Sequence, residues 1–247
     1  MPRFKLTIEY DGTGLAGWQR QKEQPSVQSL LEAAAEKLTG SYQEITAAGR
    51  TDAGVHALAQ VVHIDIGRGF EPYNVMHGLN FHLQPLTSKI VVLSAEQVPD
   101  DFHARFSATK RQYRYHIVNR AARLALDENR AWHVPEKLDA SAMHDAAQML
   151  VGTHDFTTFR STLCQSKSPL KTLDQLNVTR AGEKIIIEAK ARSFLHNQVR
   201  NMAGTLRLIG NGKWTKHDLQ NALAAKDRTK GGETAPPQGL YLVTVTY

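Results

Sequence analysis

The sequence predicts an α+β protein: two similar α/β subdomains with antiparallel sheets, joined into one mixed or antiparallel sheet, with helices flanking it. Three observations carry that prediction. Period-two alternation recurs in separate places, as in Phe4-Lys-Leu-Thr-Ile-Glu-Tyr10 and Gln112-Tyr-Arg-Tyr-His-Ile-Val118. Helical spacing with cap residues falls between such runs. The order strand, helix, strand pair, helix and final strand is met twice, once over residues 1–107 and once over 108–247. Identity between the two halves is weak. No Pro/Ser-rich linker separates them, which predicts one body with two subdomains and, where the sheets meet, a central cleft with a positively charged second lobe.

The elements follow in order. Phe4, Leu6, Ile8 and Tyr10 share one face of the first strand. SVQSLLEAAAEKLTG is helical, with Ser26 as N-cap and Gly40 as stop. Ile45–Ala48 and Gln60–Ile66 read as strands, Tyr73–Phe81 as a short helix and KIVVL as a strand. In the second half Gln112–Val118 is a strand, and DASAMHDAAQMLVG is a helix capped by Asp139 or Ser141 and ended near Gly152. LDQLNVTRAGEKIIIEAKA gives two strands joined by a turn at Ala181-Gly182. Helices over Asn197–Ile209 and Lys216–Ala225 and the strand GLYLVTVTY complete the chain.

Composition narrows the class. Of 247 residues, 41% are hydrophobic and 22% charged, the proportions of a globular protein with a real core. No apolar run approaches the roughly 20 residues of a membrane helix. The alternating MPRFKLTIEYDG predicts that no leader precedes the first strand. Cys164 is the single cysteine, which excludes an intrachain disulfide framework and predicts a cytoplasmic protein. Residues 1–110 hold 10 Lys+Arg against 12 Asp+Glu, whereas 111–247 hold 20 against 12, so the surplus of +6 comes from the second half. Such a surplus fits a solvated surface or a footprint for a polyanion, because cations gain affinity by releasing counterions from phosphates.

Four clusters carry candidate chemistry. In AAGRTDAGVHALAQ, Arg50 and Asp52 stand among small and apolar residues, where the pattern predicts burial. An R-x-D pair is commonly a structural ion pair or turn. Gly49 and Gly54 favour instead a substrate-facing loop, and an arginine beside an aspartate favours its ionised, nucleophilic form. Asp52, His56 and His63 allow a metal reading, weakened by the lack of a cysteine or a second nearby carboxylate. In ATKRQYRYHI, Tyr113 and Tyr115 share a strand face, as core residues or as a platform for a base; Arg105, Lys110, Arg111 and Arg114 suit an RNA backbone. Arg200, in FLHNQVRNMAGTL, lies on an otherwise apolar helix and wants a carboxylate partner or a route to solvent.

Taken together, GRTDAGVHA (49–57), YDGTGLAGWQRQ (10–21), DDFHARFSATKRQYRY (100–115), FLHNQVRNMAG (194–204) and the terminal GLYLV resemble, in order, the tRNA pseudouridine synthase I family. The resemblance implies Asp52 as catalytic nucleophile, Tyr113 packed on the target base, Arg200 paired with Asp52 and Arg50 prying the base from the helix. It implies isomerisation of uridines 38, 39 and 40 in the tRNA anticodon stem-loop by a homodimer in which one tRNA spans both subunits. It also implies no cofactor and no metal: N1 attachment of the base becomes C5 attachment, with atoms and redox state unchanged. The resemblance leaves open whether Asp52 adds to base or ribose or removes a ribose proton, and whether Tyr113 or Asp52 takes the C5 proton. Leu15-Ala16 stands where many members carry an aromatic before GWQ, and the longer C-terminal tail of some members is expected to be missing. A non-catalytic RNA-binding protein would explain the basic half and the tyrosines, but it has no use for Asp52.

Overall fold

The computed structural model describes residues 1–67 and 69–247. In chain order the elements are β1 (Arg3–Tyr10), α1 (Val27–Thr39), β2 (Thr46–Ala47), β3 (His56–Asp65), α2 (Pro72–Leu83), β4 (Ile90–Val98), β5 (Lys110–Asn119) and β6 (Trp132–Val134). There follow α3 (Ala140–Ala147), β7 (Gly152–Asp155), β8 (Leu170–Ala181), β9 (Lys184–Ala191), α4 (Gln198–Gly210), α5 (Lys216–Ala225) and β10 (Leu240–Thr246). Strands pair in both senses, which makes the protein α+β with mixed pairing. The chain divides into two compact units, Met1–Thr109 with Tyr241–Tyr247, and Lys110–Leu240.

In the first unit the strand order is β4-β1-β3-β10, with β2 beside β3. Phe4, Leu6 and Ile8 are fully buried, so a slip of one residue would carry Lys5, Thr7 and Glu9 into the core. That pattern sets the antiparallel register of β1 on β3 (Leu6 opposite Val62) and on β4 (Leu6 opposite Ala95). α1 starts and stops where its caps dictate. Ser26 and Ser29 satisfy each other's backbone N–H groups, and Gly40 closes the helix at φ 76°.

The final strand departs from the expected plan. It was expected to complete the second half, yet Tyr241 and Leu242 pair in parallel with His56 and Ala57 of β3. Its buried residues, Leu240, Leu242 and Val245, are apolar, a pattern that specifies a strand but not its neighbour.

The second unit has the order β5-β9-β8-β7, with β6 parallel to β5. Tyr115 and Ile117 of β5, Ile185 and Ile187 of β9, and Met202, Ala203 and Leu206 of α4 are fully buried. Asp139 caps α3 by accepting from the Ser141 and Ala142 amides. The helix runs only to Ala147 and passes through a 3₁₀ turn, Gln148–Leu150, to Gly152 at φ 105°. β6 and β7, of three and four residues, were not anticipated: neither is long enough to display alternation.

Candidate active site

Asp52 owes its position to two segments far apart in sequence. The turn Asp52–Val55 is closed by the Val55 N–H donating to Asp52 O at 3.1 Å, with Gly54 in the left-handed region at φ 78°. Residues 10–18 lie against this turn so closely that a Cβ on Gly12 would stand 2.1 Å from Val55 O. One on Gly17, at φ 87°, would stand 2.5 Å from Thr51 O. The Trp18 N–H donates to Thr51 O at 2.9 Å, and Gln60 Nε2 donates to Gly49 O at 2.7 Å. The tyrosine that ends β1 completes the clasp: Tyr10 and Thr51 share a hydroxyl hydrogen bond of 2.8 Å in the interior. Burial pushes the Tyr10 hydroxyl up to about 12, against the pull of hydrogen bonds with Thr51 and Gln60, so it stays protonated at neutral pH. Thr51 is thus the inward residue of the GRTD motif, Asp52 is half-buried and Arg50 is exposed. Burial of both charges, expected from the neighbouring residues, is corrected: alternation about the buried Thr51 keeps Arg50 in water.

The two histidines serve the backbone. His56 Nδ1 accepts from the Gly12 N–H at 3.0 Å, with Asp11 Oδ1 3.2 Å away, and its ring stacks on Tyr241 at 4.7 Å. His63 Nδ1 accepts from the Ala104 N–H at 3.2 Å. Among the described residues no group of three or more His, Cys, Asp or Glu side chains is arranged to hold a metal ion.

In the second unit Tyr113 and Arg200 stand on regular elements. Tyr113 is 9% exposed on β5 and meets Phe194 edge to face at 5.1 Å. Its neighbour two residues on, Tyr115, is fully buried and donates to Pro236 O at 2.7 Å. Burial holds that hydroxyl well above its ordinary value, partly opposed by the charge of Arg200. Arg200 lies in the first turn of α4, where Nε donates to Ala235 O at 2.8 Å and Nη1 to Asn197 Oδ1 at 3.0 Å. The Ala235 N–H returns a bond to Arg200 O at 3.2 Å. The chain 231–235 reaches the helix because Gly204 has no side chain: a Cβ there would stand 1.9 Å from Glu233 O.

The basic run around Tyr113 is not a uniform strip. Arg105 and Lys110 are exposed, with Lys110 Nζ 3.5 Å from Asp174. Arg111 is buried and donates to Arg192 O at 2.5 Å; Arg114 Nε lies 2.6 Å from Glu188. Thr51, Phe194, Asn197 and Gly204, and the hydroxyl of Tyr10, join the site without having been expected there from their residue types; their only signal in the sequence is that each falls inside one of the motifs, such as YDGTG and NMAG.

Across this framework, residues 6–107 and 146–247 match the family model described as tRNA pseudouridine synthase. The chain belongs to that family and is an isomerase. It is 59% identical over 247 residues to the tRNA pseudouridine synthase A of Afipia carboxidovorans, covering 100% of both chains. Similarity to the tRNA pseudouridine synthase A of Paramagnetospirillum magneticum is 58% identity over 100% of this chain and 96% of that protein. For the one from Mesorhizobium japonicum it is 55%, over 100% of both.

Proposed function

We propose that the protein converts uridine to pseudouridine at positions 38, 39 and 40 of the tRNA anticodon stem-loop, with Asp52 as nucleophile once the base has left the stack. The observation that supports this best is the clasp around Asp52. Two glycine-rich segments and a buried hydroxyl pair fix the backbone on either side of a carboxylate that itself remains only half-buried. A core ion pair would need no such rigid presentation; a nucleophile needs its oxygen held within a few tenths of an ångström of its target.

The chemistry balances within the substrate. The N1–C1′ bond breaks, the base turns, C5 bonds to C1′, and the proton lost from C5 is matched by one gained at N1. Extruding the base costs a few kcal/mol, and a stacking contact returns about 1–3 kcal/mol per base. Tyr113, held by Phe194, is the proposed stacking partner, and Arg50 is the proposed wedge. Arg200 is proposed to keep the Asp52 carboxylate ionised and aimed, its orientation set by Ala235 O and Asn197. Arg105 and Lys110 are proposed phosphate contacts. Arg111 and Arg114 would join them only by leaving Arg192 O and Glu188. The proposal includes a cytoplasmic homodimer in which one tRNA spans both subunits.

The positions are tested by incubating an anticodon stem-loop carrying uridine at 38, 39 and 40 with the enzyme, then mapping carbodiimide adducts by reverse-transcription stops. Stops at those three positions are expected. Modification confined to other uridines would overturn the assignment.

A further inference from the structure

Residues 99–107 of the first unit form a loop whose backbone is fixed from several directions. Arg3, paired with Asp65 at 2.7 and 2.8 Å, also donates from Nη1 to Asp100 O at 2.7 Å and Phe102 O at 2.9 Å. His63 accepts from the Ala104 N–H, and the Tyr247 hydroxyl donates to Ala104 O at 2.8 Å. His103 Nδ1 accepts from both the Arg105 and Phe106 amides, at 3.1 and 3.3 Å, and the His103 N–H donates to Ser107 Oγ at 3.0 Å. At the tip of this rigid loop Phe106 is 71% exposed. Its ring lies 4.4 Å from that of His103, and the Arg105 guanidinium is 5.6 Å from its centroid.

Single exposed apolar residues are ordinary. Phe106 differs in that the His103 side chain both accepts from its backbone N–H and lies against its ring, with the Arg105 guanidinium beside it, so the ring is presented in a fixed place. A flat ring flanked by a guanidinium and an imidazole has the chemistry on which a nucleobase stacks, with the cation beside the phosphates. We infer that Phe106, with Arg105 alongside, is a stacking platform for an unpaired base of the RNA substrate. The inference rests on the reading that the substrate is a tRNA.

The test compares wild type with Phe106→Ala, Phe106→Leu and Phe106→Trp, measuring tRNA affinity by filter binding and turnover by pseudouridine formation. Phe106→Ala and Phe106→Leu should both weaken binding and raise KM about tenfold with kcat within about twofold, while Phe106→Trp stays near wild type. Loss in Ala but rescue by Leu, with a changed sedimentation coefficient for Ala, would mean that the ring covers a protein surface, and would overturn the inference. Unchanged affinity and KM in all three variants would overturn it too. A wild type that binds tRNA but makes no pseudouridine would sink the functional reading instead, and the affinities would still decide the role of Phe106.

Discussion

The two units hold their proposed active residues by different means. Around Asp52 the support is backbone against backbone: residues 10–18 lie on the turn at 51–55 with no room for a Cβ at Gly12 or Gly17. Around Tyr113 and Arg200 the support is a strand and a helix, with side chains tied to Phe194, Asn197 and Ala235 O. A loop with no periodic pattern can aim one carboxylate closely only through such interlocking. A strand or helix already fixes its Cα positions and needs just one or two side-chain bonds to fix a rotamer. Glycine admits a close backbone approach in both units, at Gly12 beneath the turn that carries Asp52 and at Gly204 on the helix that carries Arg200.

Gly12→Ala and Gly204→Ala test the two approaches separately. At Gly204, on α4, alanine would gain about 1 kcal/mol of helix propensity, but a Cβ 1.9 Å from Glu233 O forces the segment 231–235 away. The clash wins, and a net loss of about 3 kcal/mol is expected, a fall in Tm of roughly 6–12 °C. Gly12→Ala, 2.1 Å from Val55 O, should cost a similar amount of stability. It should also cut kcat at temperatures where the variant is still folded, because it moves the turn that carries Asp52. Calorimetry beside steady-state kinetics checks both; an unchanged kcat in folded Gly12→Ala would break the comparison.

This difference also explains what could be read from the sequence. α1, α5 and β1 were legible because caps and periodicity are local: Ser26, Gly40 and the Phe4-Leu6-Ile8 alternation say the same thing. The motifs around Asp52, Tyr113 and Arg200 were legible as strings. That two of the strings, YDGTGLAGW and GRTDAGV, are one interlocked structure was not, because the Gly12–Val55 and Tyr10–Thr51 contacts join residues about forty apart with no periodic signature. The partner of the final strand was hidden for the same reason.

The loop support of the first unit should also respond to pH. Burial, reinforced by Arg3 and His103 and opposed by Asp65, pushes the His63 imidazole down to about 4. The unfolded chain takes up this proton near pH 6.5, whereas the folded one refuses it until about pH 4. Stability therefore falls as pH drops through that window, by up to about 3 kcal/mol, and levels off below it. Asp65, held low by its bond to Arg3, extends the loss toward more acid pH. Urea midpoints at pH 7, 5.5 and 4.5 should decline more steeply in wild type than in His63→Gln; parallel curves would contradict this account.

The smallest effect expected is that of Tyr10→Phe. Removing the hydroxyl leaves the buried Thr51 Oγ1 without its 2.8 Å partner, costing about 1 kcal/mol. If the clasp aims Asp52, kcat should fall several-fold while KM stays constant, and Thr51→Ser, which keeps a hydroxyl, should retain most of the rate.

The proposed isomerisation of uridine depends on Asp52. Tritium release from tRNA carrying [5-³H]uridine in the anticodon arm measures loss of the C5 proton directly, with wild type beside Asp52→Asn. Release by wild type alone, with both proteins binding the tRNA equally well, is the predicted result. Release by Asp52→Asn at the wild-type rate would contradict it.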